Sequence, residues 1–530
     1  MIGDRIIQGG SLMHKYLILI PGFLLLASMM GCSFPAQREI SPTSIAGATG
    51  VSQPSANRET VGTLSGNPSG GSSRQVITVI YTNDEHGWME GMEEGSGAAN
   101  MISVWQDKLG YTPGGPFLVL SGGDMWTGPA ISTWFQGESM VEVMNAMDYD
   151  AAAVGNHEFD FGLEAIKKRV SEMEFPLLSA NMHYKKNGSY PEDLGIRPYL
   201  ITTVGGVPVG IIGLTSTKTP QVTNPVNVVD FEFRDYGETL RQVVPEVKAA
   251  GAELVLVAAH ICRDEVTALA KQVGGLGIDM IGAGHCNEWF ADTVNNIVVL
   301  GGGYHMSSYA YAQFTIESST ITVVERKSGS GVNKRGAANP EITAIINKWK
   351  AMADEELNVV IGYTISGIPK RSLEMQALIT GAWLAEYPAD IAITNLGGMR
   401  ADIKPGDITV SDIIGVMPFN NVIVEVKLTG EALLKILSGK QDSTAISGMA
   451  YWNRDWVLTK TGKRLSPTET YTVLVNDFMY AGGDDYRFAK YDPQGYNTAI
   501  DWRQPVIDWV TAQNSNKSTP IDAAIEGLVK

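Results

Sequence analysis

The chain has 530 residues, 44% hydrophobic and 18% charged, enough for about two to four folded domains and too well endowed with core for disorder throughout or a collagen-like fibre. Its three cysteines exclude a small disulfide scaffold. Forty basic residues against 57 acidic ones leave a net charge of −17, which repels a nucleic-acid backbone, so no polymeric nucleic acid is expected as a partner. Small phosphorylated ligands stay open, because a metal ion or a few arginines can override the global field locally.

In chain order, His14 and Lys15 precede the apolar run Tyr16–Met30, which is short for a bilayer span. With the Gly31-Cys32 junction it reads as a secretory signal over residues 1–32, with Met13 as an alternative start. Gly31-Cys32 resembles a bacterial lipobox. That implies lipid attachment at Cys32, a periplasmic or cell-envelope location, and contact with the membrane through this anchor only. An ordinary cleaved signal is the alternative. Residues 33–74 are rich in Ser, Gly, Thr, Pro and Asn, and they bury too little to offset their ordering entropy, so they read as a tether.

Folded structure is predicted from Gln75. Val76–Tyr81, Phe117–Leu120, Ala151–Val154, Leu254–Ala259 and Ile278–Ile281 are short apolar runs that read as buried strands. Helical patterns at Ser139–Met147, Leu163–Glu174 and Tyr236–Ala250 alternate with them, predicting an α/β layered domain. In such folds, sites gather beyond the carboxyl ends of the strands.

The unusual residues stand at those ends. Strand one runs into Asn83-Asp84-Glu85-His86-Gly87, strand two into Gly122-Gly123-Asp124, strand three into Gly155-Asn156-His157-Glu158-Phe159-Asp160. Later strands end at His260 and at Gly284-His285-Cys286-Asn287. One such cluster would be an ordinary turn. A succession of them supplies imidazole, carboxylate and amide oxygen, a ligand set for divalent Mn, Zn, Co or Fe. No Cys-x-x-Cys pair is present for a closed structural zinc.

The order Asp-x-His, Gly-Asp, Gly-Asn-His-Glu, a late His, then Gly-His-x-x resembles the calcineurin-like metallophosphoesterases. The spelling Asn-His-Glu-Phe-Asp, with a second domain following, is similar to the bacterial 5′-nucleotidase and UDP-sugar hydrolase family. The resemblance implies a metallophosphoesterase β-sandwich flanked by helices, followed by a second, α+β substrate-binding domain. It implies two divalent metal ions. Asp84, His86, Asp124 and Asn287 would hold the first; Asp124, Asn156, His260 and His285 would hold the second. His157 and Asp160 would form a catalytic dyad, the carboxylate orienting an imidazolium. Asn287 stands where related enzymes often carry histidine. Cys262 and Cys286 read as buried free thiols, with a disulfide as the alternative in an exported protein.

Asn339 and Pro340 predict a helix start, and Ile342, Ile345, Ile346, Trp349 and Met352 follow at helical spacing. The expected organisation is a catalytic domain over 75–335, a linker helix over 336–358 and a substrate-binding domain over 359–530. Ser318–Val323 reads as the closing strand of the first domain, followed by a loop rich in Ser, Gly, Lys and Asn.

In the second domain, Asn395-Leu396-Gly397-Gly398-Met399-Arg400 resembles the family's Asn-x-Gly-Gly-x-Arg, which implies phosphate binding by Arg400, with Arg371 as a further arginine. Pro418-Phe419-Asn420-Asn421 and Asn476-Asp477-Phe478 with Gly482-Gly483-Asp484 match two further elements. They imply that Phe419 and Phe478 sandwich a nucleotide base while Asn395, Asn421 and Asp484 contact the substrate. Asp485 replaces a family glycine, and Glu374–Gly381 lacks the family's Asn-x-Gly spelling. The function implied is release of phosphate from nucleoside 5′-monophosphates or related nucleotides by two-metal-activated water. UDP-sugar hydrolysis and 2′,3′-cyclic phosphodiester cleavage are alternatives, as is a nucleotide-binding lipoprotein without turnover. No P-loop and no Gly-x-Ser-x-Gly elbow occurs.

Overall fold

The computed structural model describes residues 74–317, 322–334, 336–452 and 455–529. The expected signal, the tether up to residue 73 and Cys32 lie outside the described residues. Among those described, no helix is long and apolar enough to cross a membrane.

The strands of the first part are β1 (Arg74–Thr82), β2 (Phe117–Ser121), β3 (Ala151–Ala153), β4 (Leu177–Leu178), β5 (Met182–Tyr184), β6 (Tyr199–Val204) and β7 (Val207–Thr215). After them come β8 (Phe231–Phe233), β9 (Leu254–His260), β10 (Met280–Gly282), β11 (Trp289–Val294), β12 (Ile297–Gly302), β13 (Ser308–Glu317) and β14 (Thr322–Val332). They form two six-stranded sheets, ordered β14-β13-β1-β2-β3-β4 and β11-β12-β10-β9-β7-β6, with β5 and β8 as a small ribbon.

Period-two alternation explains why the sheets face each other. Leu254, Leu256 and Ala258 of β9 point into one core with Ile77, Val79 and Tyr81 of β1, while Val255, Val257 and Ala259 point the other way. Successive side chains of a strand leave on opposite faces, so a strand apolar at every position is buried on both sides. Helix Tyr236–Ala249 and helix Arg263–Gln272 cover the outer face of the second sheet. Helices Ala98–Leu109 and Glu138–Ala146 cover the outer face of the first. The result is a helix–sheet–sheet–helix sandwich. β1, β2 and β3 run parallel, as do β7, β9, β10 and β12, so their carboxyl ends emerge on one edge.

One expectation is corrected. The stretch after Val323, read as a loop for its Ser, Gly and Lys, is strand: β14 runs to Val332, paired antiparallel with β13. Its glycines are there for room. A Cβ on Gly329 would stand 2.5 Å from Tyr311 Cζ, and one on Gly331 would stand 2.4 Å from Tyr309 Cζ, so these rings lie across the backbone of the edge strand. Composition signals a loop at such a place, but cross-strand packing decides.

Helix Pro340–Leu357 starts as predicted, with the Asn339 side chain accepting from the backbone N–H groups of Glu341 and Ile342. Ile342, Ile346 and Trp349 pack into the first part. Leu357, at its far end, clusters with Ala130 of the first part and with Val410 and Ile414 of the second.

The second part adds β15 (Val360–Thr364), β16 (Ile391–Asn395), β17 (Gly406–Thr409), β18 (Val422–Thr429), β19 (Thr444–Ser447), β20 (Met449–Trp452), β21 (Asp455–Leu458), β22 (Thr470–Asn476) and β23 (Tyr496–Asp501). Its main sheet has the order β19-β16-β22-β18-β23, with helices and apolar cores on both faces. Both fold expectations, the flanked sandwich and the α+β second part, describe this architecture.

Candidate active site

The loops at the carboxyl ends of β1, β2 and β3 are stitched to one another through their backbones. Asp84 and His86 donate their N–H groups to the carbonyls of Gly123 and Asp124 at 2.9 Å each. Glu158 is wholly buried and accepts from the N–H groups of Asp124, Met125 and Gly155 at 2.9, 2.8 and 2.6 Å. A Cβ on Gly155 would stand 2.2 Å from Asp124 Oδ1, so only glycine lets the third loop close on that carboxylate.

The backbone at these positions is left-handed. Asp84, His86, Asp124, His285 and Asn287 have φ of 52°, 47°, 60°, 72° and 57°. Side chains other than glycine rarely adopt this region, and where several do together the surrounding structure is holding them for a purpose.

The side chains converge. His260 Nε2 lies 3.0 Å from Asp124 Oδ2 and 3.1 Å from Asn156 Oδ1. His86 Nε2 lies 3.8 Å from Asp124 Oδ2 and 3.9 Å from Asp84 Oδ1. Among the described residues, ligand atoms of Asp124, His260 and His285 lie within 4.8 Å of one another, and those of His86, Asp124 and His157 do likewise. His157, expected as a catalytic residue, therefore shares the cluster. His157 Nδ1 is 2.7 Å from Asp160 Oδ2, and its backbone N–H donates to Asp124 Oδ1 at 2.8 Å.

These residues fit a cation. His86 Nδ1 lies against the Thr127 carbonyl at 2.8 Å and His260 Nδ1 against the Gly122 carbonyl at 2.7 Å. A ring held that way turns its Nε2 to the interior, the arrangement metal-ligating histidines use. Asp84 Oδ1 is buried without a hydrogen-bond partner, which is costly for a carboxylate unless a charge meets it.

Protonation follows the same logic. Burial raises the Asp84 pKa to about 7, the charge of His260 opposing it. Burial lowers that of His260, but the carboxylate of Asp124 overrides this and lifts it to about 10. Burial, with the nearby His260, lowers that of His285 to about 4. Burial and the Arg400 charge hold His86 well below the usual imidazole range. Burial also works against a charged His157, yet Asp160 and Asp124 raise it above 6.5.

The second part closes a cavity of about 770 Å³ over this cluster. His86, Asp124, Asn156, His157, Asp160, His285 and Asn287 form one wall; Asn395, Arg400, Phe419, Asn421, Phe478 and Asp484 form the other. Asp84 and His260 lie beneath the first wall, wholly buried. Phe419 stacks on His157 with centroids 5.5 Å apart. Asn395 donates to Asp484 Oδ2 at 2.8 Å, and Asn476 donates to Asn395 Oδ1 at 3.0 Å. Asp484 and Asp485 have φ of 51° and 59°, so Asp485 adopts the conformation a glycine would take. Arg371 is exposed outside the cavity wall, with its Nε donating to the Leu396 carbonyl. Cys32 lies outside the described residues.

Three features escaped the sequence reading. Glu158 ties the second and third loops, though it carried no role of its own. His305 stacks on Trp88 and stands 5.8 Å, centroid to centroid, from His86; it follows the end of β12 without an accompanying motif. The two cysteines expected as free thiols form a disulfide, Cys262–Cys286, with Cα atoms 5.2 Å apart. Topology brings the ends of the adjacent strands β9 and β10 together, a proximity their separation in sequence hides.

Comparisons agree with this picture. Residues 358–491 match the family described as 5′-nucleotidase, C-terminal domain. The 5′-nucleotidase of Vibrio cholerae serotype O1 is 27% identical over 512 residues, covering 84% of this chain and 91% of that protein. Protein UshA of Escherichia coli K12 is 27% identical over 516 residues, covering 85% and 92%. The crystal structure of a 5′-nucleotidase precursor from Thermus thermophilus superposes with a TM-score of 0.71 at 22% identity, over 84% of this chain and 97% of that one, a shared fold. The resemblance read from the motifs thus extends over most of the chain.

Proposed function

We propose that this chain, a phosphoric ester hydrolase resembling the 5′-nucleotidase and UDP-sugar hydrolase family, is exported and releases phosphate from nucleoside 5′-monophosphates or related nucleotides. Lipid anchoring at Cys32, after a signal over residues 1–32, belongs to the same proposal. The observation that carries the hydrolase reading is the cavity itself: imidazoles and the Asp124 carboxylate on one wall, with the unpartnered Asp84 oxygen buried beneath it, and Arg400 and two phenylalanines on the other.

Asp84, His86, Asp124 and Asn287 would hold one divalent ion, and Asp124, Asn156, His260 and His285 a second; Mn, Zn, Co and Fe all suit such donors. When bound, such ions lower the pKa of water and neutralise charge growing on a phosphoryl group. The chain's own groups do the rest. Arg400 offers a planar fork to a phosphate. Phe419 and Phe478 offer apolar faces to a base, and Asp484 accepts from ribose hydroxyls. His157, kept charged by Asp160, donates a proton or a hydrogen bond to the oxygen on which negative charge develops.

The test is phosphate release from AMP, UDP-glucose, a 2′,3′-cyclic nucleotide and a bis-aryl phosphate, each with Mn, Co or Zn. Metal-dependent release from AMP is expected. Release from the aryl diester but not from AMP would overturn the nucleotidase reading. No release above the buffer rate with any metal would favour a binder without turnover.

A further inference from the structure

The candidate ligands are not held alike. Thr127 and Gly122 carbonyls hold the rings of His86 and His260. Asn83 donates to Asp84, the His157 N–H donates to Asp124, and Asn156 donates to the Val222 carbonyl. The side chains of His285 and Asn287 make no hydrogen bond among the described residues. They also stand on the least protected loop: Asn287 is exposed and His285 half-buried, whereas the other ligands are buried. Both have left-handed backbone, which persists only where something over-determines it.

The residue between these two is Cys286. Its disulfide to Cys262 reaches the loop after β9, two residues beyond the buried His260. We infer that the Cys262–Cys286 disulfide is the positioning element for His285 and Asn287, doing covalently what hydrogen bonds do for the other ligands. This rests on the dimetal reading of the cavity. Since His285 is assigned to one ion and Asn287 to the other, loosening the loop weakens both. Outer contacts that orient ligands are worth roughly tenfold to hundredfold in metal affinity.

The bond opens by a balanced exchange. A dithiol supplies two electrons and two protons, the S–S bond breaks to leave two thiols, and the dithiol is oxidised to its own disulfide. Cys286 is exposed, so a reductant has access. Disulfides persist in oxidising compartments and are kept reduced in the cytosol. The chain would therefore take up metal tightly only once it reaches an oxidising environment, and its nucleotide hydrolysis would stay weak before that.

The test is calorimetric titration of the full, metal-free protein with Mn²⁺ in three forms: oxidised, reduced by a dithiol that is then removed without air, and the Cys262→Ser/Cys286→Ser variant. Thermal unfolding of each metal-free form sets a temperature at which all are folded. The expected result is Mn²⁺ affinity weakened about tenfold to hundredfold in the reduced protein and the variant. A disulfide that only stabilised the fold would lower the unfolding temperature and leave Mn²⁺ affinity unchanged, and that outcome overturns the inference. If the variant fails to fold, the reduced native chain decides. Oxidised protein that takes up no Mn²⁺ would overturn the dimetal reading itself, a separate result.

Discussion

Arg400 Nη2 donates to His86 Nε2 at 3.4 Å, joining a loop of the second part to the candidate-ligand cluster of the first. The two residues are 314 positions apart in sequence, yet one phosphate could meet Arg400 and an ion held by His86 together. Replacing Arg400 with alanine should raise KM for AMP and lower kcat/KM about tenfold to hundredfold, the loss of one charged hydrogen bond. Mn²⁺ affinity should not fall, since the Arg400 charge competes for His86 Nε2. Steady-state kinetics alongside metal titration checks both, and unchanged kcat/KM would remove Arg400 from phosphate binding.

In the proposed reaction the His157–Asp160 pair should set a pH limb. Burial opposes charge on His157, but the Asp160 and Asp124 carboxylates together outweigh it and lift the pKa above 6.5. The protonated form is thus available below the raised pKa and lost as pH rises through it. Asp160→Asn removes the anion, so the alkaline limb of kcat should move to lower pH. His157→Ala should cost about 10²–10⁴ in kcat. A limb that stays in place in Asp160→Asn would exclude His157 as the titrating acid.

Asp150 gives a stability prediction remote from the cavity. Its carboxyl accepts from the Val119 N–H at 2.8 Å, and burial raises its pKa from 3.8 to about 7, that hydrogen bond opposing the rise. A folded pKa above the unfolded one means the contribution is complete below about pH 4 and lost as pH climbs through about 7. Asp150→Asn should flatten the fall in unfolding free energy across that window, by up to about 1.4 kcal/mol per pH unit. Urea unfolding at several pH values measures the slope of each protein.

Gly155→Ala should disable the site without replacing a candidate ligand. The new Cβ would meet Asp124 Oδ1 at 2.2 Å and Glu158 Oε2 at 2.7 Å, so the loop or the carboxylate must shift. Weaker Mn²⁺ binding and a fall in kcat are expected, with circular dichroism near that of the wild type. Normal metal affinity in this variant would show that the loop relaxes freely.

The clusters at strand ends were legible because short continuous apolar runs mark β1, β2, β3 and β9, and chemistry-bearing residues follow each run directly. The partnership of Phe419 with His157 and of Arg400 with His86 was not legible. It depends on how the second part docks, which no local pattern encodes. His305 was missed because it arrives alone, and β14 because Ser and Gly there serve packing against Tyr309 and Tyr311. The free-thiol expectation for Cys262 and Cys286 failed for a related reason: pairing of β9 with β10, not spacing along the chain, sets their distance.

The candidate ligands from Asp84 to Asn287 come from separate strand ends, spread over both sheets of the sandwich. No short stretch of chain holds a complete set. Early in folding the nascent polypeptide therefore offers a cation only scattered donors, and the loop-closure entropy of gathering them falls on the assembly of β1, β2, β3, β9 and β10. On the proposed ligand assignment, metal capture would come after both sheets have formed. An ion bound there would act as a late lock: it would slow escape from the native state while leaving the speed of reaching it almost untouched.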